Sequence, residues 1–284
     1  ESNDYSYGAA DTIELTSGTN TVIGGVGADT ITAGSGTNVV LGDDGEATFT
    51  SGTLTSIQST NSDEGGDDTI TLDDGTNTVV AGDGQDTVTI GAGTNVVLGD
   101  EGSLTVNTDG TTTIETINGS VGDTDTVNVG EGYNVVVGGA ASDAVTVTGT
   151  ATDSQGIVLG DNGTMTLAAD GSLASIASSD YSYGAADTIQ LTSGTNTVIG
   201  GVGADSHIFA ASARGCRCAR ALWLRPLQRC ADDLRACNRC PRPFRVRHGP
   251  GRHGQRATLR QPESRVRVRR LSGRGNKLPR DRPD

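Results

Sequence analysis

The stretch Gly24-Gly25-Val26-Gly27-Ala28-Asp29-Thr30-Ile31-Thr32 decides the fold of this chain. Its first half is rich in glycine, which tolerates positive φ and close backbone approach, so it reads as a tight turn. Its second half sets one aliphatic residue between two threonines, the pattern of a very short strand with one side chain pointing inward. Asp29 stands where turn becomes strand. A single nonapeptide of this kind is a weak signal. However, Ala81-Gly82-Asp83-Gly84-Gln85-Asp86-Thr87-Val88-Thr89 departs from it only at the first glycine of the pattern, and Gly200-Gly201-Val202-Gly203-Ala204-Asp205 repeats its first half.

Outward from these copies the chain is periodic. Gly18, Gly27, Gly36 and Gly45 are nine residues apart, as are Gly66, Gly75, Gly84, Gly93 and Gly102. Two residues after most of these glycines comes Asp or Asn, and two further on an aliphatic residue. The aliphatic set is Ile13, Val22, Ile31, Val40, then Ile70, Val79, Val88, Val97, then Val127, Val136, Val145, then Ile189 and Val198. A longer period contains this one: Asp-Thr-Ile or Asp-Thr-Val begins at Asp11, Asp68, Asp125 and Asp187, and Val-Leu-Gly-Asp at Val40, Val97 and Val158. Residues 2–30 match residues 178–206 at 26 of 29 positions. One supersecondary unit is thus repeated about three and a half times. The chain opens inside a copy of its own repeat and carries its only Met at position 165, so it is expected to be a piece of a longer protein.

Written as G-G-x-G-x-D-x-U-x, with U aliphatic, these nonapeptides resemble the RTX, or haemolysin-type, calcium-binding repeats over residues 1–206. The resemblance implies an all-β fold, a parallel β-roll or β-solenoid in which two nonapeptides close one coil and equivalent turns stack two repeats apart. The sixth position then reads Asp11, Asn20, Asp29, Asn38; Asp68, Asn77, Asp86, Asn95; Asp125, Asn134, Asp143; Asp187, Asn196, Asp205. Stacking at twice the period would put every one of these Asp on one edge and every Asn on the other. In such repeats calcium lies between stacked turns, held by aspartates and turn carbonyls, which suits a cation taking about six to eight oxygen ligands. The resemblance implies ions between Asp11 and Asp29, Asp68 and Asp86, Asp125 and Asp143, and Asp187 and Asp205, with carbonyls of Gly24, Gly82 and Gly200 contributing. The turns Ser6-Tyr7-Gly8-Ala9-Ala10 and Gly138-Gly139-Ala140-Ala141-Ser142 depart from the pattern, and the third unit loses phase between Val147 and Ile157.

Charge makes the same demand. Residues 1–206 hold 30 of the 35 acidic residues and no Lys, Arg, His, Cys, Pro or Trp. Acidic sequence with only six aromatic residues ordinarily reads as disordered. The phased Val and Ile oppose that reading, and bound cations would relieve the self-repulsion. The same charge argues against nucleic acid or an anionic membrane as partner. No apolar run approaches the roughly 18 residues of a transmembrane segment.

Between the phased blocks lie alternating runs around turn residues: Ala47–Thr50 and Thr53–Ile57 around Ser51-Gly52, Leu104–Asn107 and Thr111–Ile117 around Asp109-Gly110, Met165–Ala168 and Ser172–Ile176 around Asp170-Gly171. Each reads as a β-hairpin. They are expected to interrupt the roll, giving four short rolls, with units starting near residues 8, 65, 122 and 184.

After Ser206 the alphabet changes. The repeat calls for Ile-Thr-Ala-Gly-Ser-Gly-Thr-Asn, and the chain gives His207-Ile208-Phe209-Ala210-Ala211-Ser212-Ala213-Arg214; all the basic residues, Cys and Pro of the sequence lie after Ser206. Cys237, Cys240, His248 and His253 are of zinc-ligand type, but only seven residues separate Cys240 from His248 and no hydrophobic pattern supports a finger. An arginine patch for nucleic acid is a further alternative. The reading adopted is that residues 207–284 are the repeat's own coding sequence in a shifted frame: Arg267-Val268-Arg269-Arg270-Leu271 can be encoded so that one base along it gives Val-Phe-Gly-Asp. Such a tail would have no fold of its own.

Three functions are in play. The first is a calcium-binding structural or adhesive segment of a large secreted or surface-bound bacterial protein, an adhesin, folded by calcium outside the cell. The second is the accessory block of a secreted toxin or hydrolase whose catalytic domain lies elsewhere, since residues 1–206 contain neither H-E-x-x-H nor G-x-S-x-G and no catalytic residue is expected here. The third is an ice-binding solenoid presenting Thr19, Thr37, Thr76, Thr94 and Thr195.

Overall fold

Two kinds of short strand take turns along the chain. The four-residue kind, such as Thr30-Ile31-Thr32-Ala33, strictly alternates exposed and buried residues, as a strand with one wet face must. The six-residue kind, such as Gly36-Thr37-Asn38-Val39-Val40-Leu41, buries its last four residues without alternation, the mark of a strand covered on both faces.

The computed structural model describes residues 8–60, 65–150, 153–179 and 182–209, together with the two-residue strand Arg217–Cys218. Two coils open the chain, β1 (Thr12–Leu15) with β2 (Gly18–Ile23) and β3 (Thr30–Ala33) with β4 (Gly36–Leu41), and the hairpin β5 (Gly45–Thr50) and β6 (Thr53–Ser59) follows. The second unit repeats this with β7 (Thr69–Leu72), β8 (Gly75–Val80), β9 (Thr87–Ile90) and β10 (Gly93–Leu98), then the hairpin β11 (Gly102–Val106) and β12 (Thr112–Thr116). The third has β13 (Thr126–Val129), β14 (Gly132–Gly139), β15 (Ala144–Val147) and β16 (Gln155–Asp161), then β17 (Gly163–Leu167) and β18 (Leu173–Ser178). The chain returns to the roll with β19 (Thr188–Leu191), β20 (Thr195–Ile199), β21 (Ser206–Phe209) and β22 (Arg217–Cys218). No helix occurs among the described residues, so none is long and apolar enough to cross a membrane.

The all-β parallel solenoid expected from the sequence is what forms. One sheet runs β1-β3-β7-β9-β13-β15-β19-β21 and the other β2-β4-β8-β10-β14-β16-β20-β22, parallel throughout. The expected string of four short rolls needs correcting. β4 pairs in full register with β8 across the first hairpin, β10 with β14 across the second, and β16 with β20 across the third. The hairpins interrupt the chain but not the sheets, because each leaves and rejoins the roll at the same edge. They then lie side by side, antiparallel, as a third sheet in the order β18-β17-β12-β11-β6-β5. The phase lost in the third unit is recovered in the same way: a longer connection between β15 and β16 absorbs the extra residues, and Ile157 and Val158 pair with Val135 and Val136.

Two cores result. Every aliphatic residue read from the nine-residue period packs inside the roll, with Val40, Val79, Val97 and Val136 inaccessible to solvent and Ile13 partly buried. A second core lies between the outer face of the β2–β22 sheet and the hairpin sheet, built from Leu41, Leu98 and Leu159 against Ile57, Ile114 and Met165. This layer explains the continuous Val-Val-Leu runs.

The Gly-Thr-Asn threonines Thr19, Thr37, Thr76 and Thr94 stack in register, after which Tyr133 and Gln155 occupy the column before Thr195. Strand pairing runs past Ser206 to Phe209, with His207 in the inward place of Ile189 and Ile208 exposed. Cys237, Cys240, His248, His253 and the remainder of the basic tail lie outside the described residues.

Candidate metal centre

The two edges of the roll pose the same problem and solve it differently. On one edge Asn20, Asn38, Asn77, Asn95 and Asn134 form a ladder in which each Nδ2 donates to the next Oδ1 at 2.8–2.9 Å. The same Nδ2 also donates to a carbonyl four residues back, as Asn38 does to Gly34. An amide both donates and accepts, so this column closes on itself. Gly156 replaces Asn in one coil, and its N–H donates to Asn196 Oδ1 instead.

On the other edge the structure brings together all eight predicted aspartates in one column. The backbone N–H of Asp11 donates to Asp29 Oδ1, Asp29 to Asp68, Asp68 to Asp86, Asp86 to Asp125, Asp125 to Asp143, Asp143 to Asp187 and Asp187 to Asp205, at 2.7–3.3 Å. The predicted pairs within a unit are therefore no closer in register than the pairs across a hairpin. Consecutive members are one parallel-strand spacing, about 4.8 Å, apart. The second oxygen finds nothing. Oδ2 of Asp29, Asp68, Asp86, Asp125, Asp143 and Asp187 is buried without a hydrogen-bond partner, although each of these residues is at most 2% exposed. A carboxylate can only accept, and residues 1–206 contain no cationic side chain to donate.

Glycine makes the room. The first turn position forms its own column, Gly24-Gly42-Ala81-Gly99-Gly138, linked by ladder hydrogen bonds, as Gly24 N–H to Leu41 O and Gly42 N–H to Val80 O. Gly160 and Gly200 hold the same position further along, each beside an Asp Oδ2. A Cβ on Gly24 would stand 2.3 Å from Asp29 Oδ2, and one on Gly200 2.2 Å from Asp205 Oδ2. Gly24 and Gly200 therefore stand beside Asp29 and Asp205 in the column. Gly82 lies one position on, with Ala81 in the Gly24 place, and a Cβ on Gly82 would meet Asp43 Oδ2 at 2.2 Å.

The electrostatics follow from burial. Desolvation, with the Asp125 charge next, pushes Asp86 up to about 10. Burial likewise carries Asp125 and Asp187 to about 8 and Asp68 and Asp143 to about 7, with neighbouring carboxylates adding to it. Asp29 and Asp205 are raised by burial as well.

Three further aspartates escape the nonapeptide pattern. The second turn position runs Gly25, Asp43, Gly82, Asp100, Gly139, Asp161, Gly201, with Gly and Asp alternating coil by coil. Asp43, Asp100 and Asp161 are buried to 5%, 1% and 0% exposure. Asp43 accepts from the N–H of Gly66 and Asp83 at 3.1 and 2.7 Å. Asp161 accepts from Ala185 and Val202, and Asp100 from Ala140, while Asp100 Oδ1 is left without a partner. Their signal is the recurrent Leu-Gly-Asp that precedes each hairpin, whose last residue stands at the hairpin's base.

This chemistry fits a hard, oxygen-seeking divalent cation. No three acidic, Cys or His side chains among the described residues converge on one point, so the ligand set would mix carboxylate with turn carbonyl oxygens. The family model described as the RTX calcium-binding nonapeptide repeat (four copies) matches residues 14–48, 62–88, 72–103, 120–147 and 181–206. RTX calcium-binding nonapeptide repeats therefore recur across residues 14–206. The RTX repeats are calcium-binding, and calcium is the cofactor they imply. No curated protein and no solved structure matches the chain.

Proposed function

We propose that the RTX array is a calcium-loaded structural or adhesive segment of a large secreted or surface-bound bacterial protein, and that calcium drives its folding outside the cell. The observation that carries this is the Asp column: six buried carboxylates, from Asp29 to Asp187, each with an orphan oxygen, in a region without one positive side chain. Asp11, Asp29, Asp68, Asp86, Asp125, Asp143, Asp187 and Asp205 would hold the ions, with carbonyls of the glycine-rich turns, those of Gly24, Gly82 and Gly200 among them. Bound calcium supplies the positive charge that the buried carboxylates lack, so its binding free energy becomes folding free energy. Where calcium is scarce the column opposes the fold, and where calcium is plentiful the column favours it, which suits export followed by folding.

The chain's own residues do the rest. The Oδ1 hydrogen bonds hold successive turns in register, the glycines admit the carboxylates, and the two apolar cores fix the roll and its hairpins. The test is circular dichroism of the full chain at about pH 8 in EDTA and in millimolar calcium. A coil-like spectrum that becomes β-rich with calcium is expected, and identical spectra in both would overturn the reading.

A further inference from the structure

The Asp column treats every gap between coils alike, but the column beside it does not. Asp43 bridges the turn that carries Asp68 to the turn that carries Asp86, accepting an N–H from each. Asp161 does the same for the turns of Asp187 and Asp205. Asp100 reaches from the base of its hairpin to Ala140, in the turn of Asp143, across the gap between Asp125 and Asp143. Each carboxylate is lodged between two glycines, one from each turn. A Cβ on Gly65 or Gly82 would meet Asp43 Oδ2 at 2.2 Å, on Gly122 or Gly139 Asp100 Oδ2 at 2.2 or 2.1 Å, and on Gly184 or Gly201 Asp161 Oδ2 at 2.4 or 2.1 Å. The gaps between Asp29 and Asp68, Asp86 and Asp125, and Asp143 and Asp187 have Gly25, Gly82 and Gly139 at this place, and the buried Asp44 stays beside the first of them, its Oδ1 3.7 Å from where a Cβ on Gly25 would stand, without bridging two turns as Asp43 does.

We propose that the array holds two classes of calcium site, alternating along one edge, and that Asp43, Asp100 and Asp161 make the gaps 68/86, 125/143 and 187/205 the tighter class. The proposal rests on the calcium reading above and adds the residues that grade its sites. Both oxygens of Asp43 and Asp161 already accept turn amides, so these residues act as charge beside the ion and as positioning residues rather than as ligands. Asp100 gives the independent evidence. Its Oδ1 is buried, unpartnered and part of a residue 1% exposed, and residues 1–206 hold no cationic side chain to meet it. Ligand charge is what sets calcium affinity among otherwise similar oxygen sites, and one extra buried charge near a divalent ion is worth about tenfold in affinity or more.

Asp100→Asn is the discriminating variant. It keeps an acceptor for the Ala140 N–H, removes the charge, and places its Nδ2 where the orphan oxygen was. Calorimetric calcium titration of the full chain should show a tight class of three ions and a weaker class. Asp100→Asn should move one ion out of the tight class, weakened about tenfold or more, with the circular dichroism of the calcium-saturated protein unchanged. A single class of equal sites in the parent, or unchanged tight affinities in a folded Asp100→Asn, would overturn the proposal. Should Asp100→Asn not fold, Asp43→Asn and Asp161→Asn carry the same test at their own gaps, and unchanged tight affinities there overturn it. A parent that binds no calcium at all would instead sink the calcium reading itself.

Discussion

Chelation leaves the Asp column with protons as its only counter-charge, and that makes the metal-free protein unusually sensitive to pH. Burial raises Asp68 and Asp143 from 3.8 to about 7 in the folded chain. A carboxyl whose folded pKa lies above its unfolded value contributes stability that is complete below the unfolded value and is lost as pH rises through the folded one. For these two residues the window runs from about pH 4 to about pH 7. A rise of that size corresponds to roughly 4 kcal/mol for one such group, and two groups reach about 8 kcal/mol, the scale of an entire domain's net stability of about 5–15 kcal/mol. Asp125 and Asp187, at about 8, extend the loss to higher pH. In EDTA the chain should therefore keep its β signal near pH 5 and lose it by pH 8, and calcium should restore it at pH 8 with release of protons. Thermal melts by circular dichroism across this range, repeated in about 1 M salt to screen the exposed charges, would measure it. A melting temperature that is flat or rises with pH in EDTA would refute the assignment of the buried carboxylates as the groups calcium must compensate.

Two backbone substitutions test the roll independently of metal. Gly93 has φ 144° and a Cβ there would meet Gly75 O at 1.9 Å, whereas Gly18, with φ 140° at the first coil, has nothing within 4 Å. Gly93→Ala should cost more than about 3 kcal/mol and Gly18→Ala only about 1 kcal/mol of conformational strain, read from denaturant midpoints in saturating calcium; equal costs would contradict the continuous stacking across coils. Ala141 adopts φ 63° where Gly27, Gly84 and Gly203 hold the same turn position at 112–121°. Ala141→Gly should raise stability by about 0.5–1 kcal/mol, and a loss would mean that the turn before Asp143 is not strained.

The roll is legible in the sequence because its signal is a period. Each inward aliphatic residue from Ile13 to Val198 sits at a fixed step, and the alternation of Asp and Asn sorts itself onto two edges as soon as the coil length is known. The hairpins are legible from Ser51-Gly52, Asp109-Gly110 and Asp170-Gly171, the glycines taking the φ values of 81°, 83° and 81° that such turns require. The continuity of the solenoid is hidden. It depends on Leu41 pairing with Val80, residues 39 apart rather than 18, and no local pattern announces that a hairpin will fold outward and leave the ladder intact. The second core is written in the runs Val39-Val40-Leu41 and Val96-Val97-Leu98, but such runs specify burial on two faces without naming what covers the second. Asp43, Asp100 and Asp161 are hard to see for a related reason: they stand at the second turn position, which the nonapeptide pattern gives to glycine.

The Asp and Asn edges differ by one functional group per coil, and that difference is sufficient to create a demand for calcium. An Asn ladder hands a hydrogen from each residue to the next and closes with every amide engaged. A carboxylate ladder has no hydrogen to hand on, so the backbone amide must supply it, one oxygen per residue is satisfied, and the other is left over. The cost of each leftover is a desolvated charge, and it recurs from Asp29 to Asp187 because these coils share one turn geometry. The hairpins leave this arithmetic unchanged: Gly42, Gly99 and Gly160 take the same ladder position before a hairpin that Gly24 and Gly200 take without one, so the column of Asp passes each insertion unbroken. Apolar burial under the hairpin sheet, between Leu41, Leu98 and Leu159 and Ile57, Ile114 and Met165, is the same with or without an ion. The Asp edge carries the orphan carboxylate oxygens from Asp29 to Asp187, and under the proposed calcium-driven folding it is there that the switch would reside.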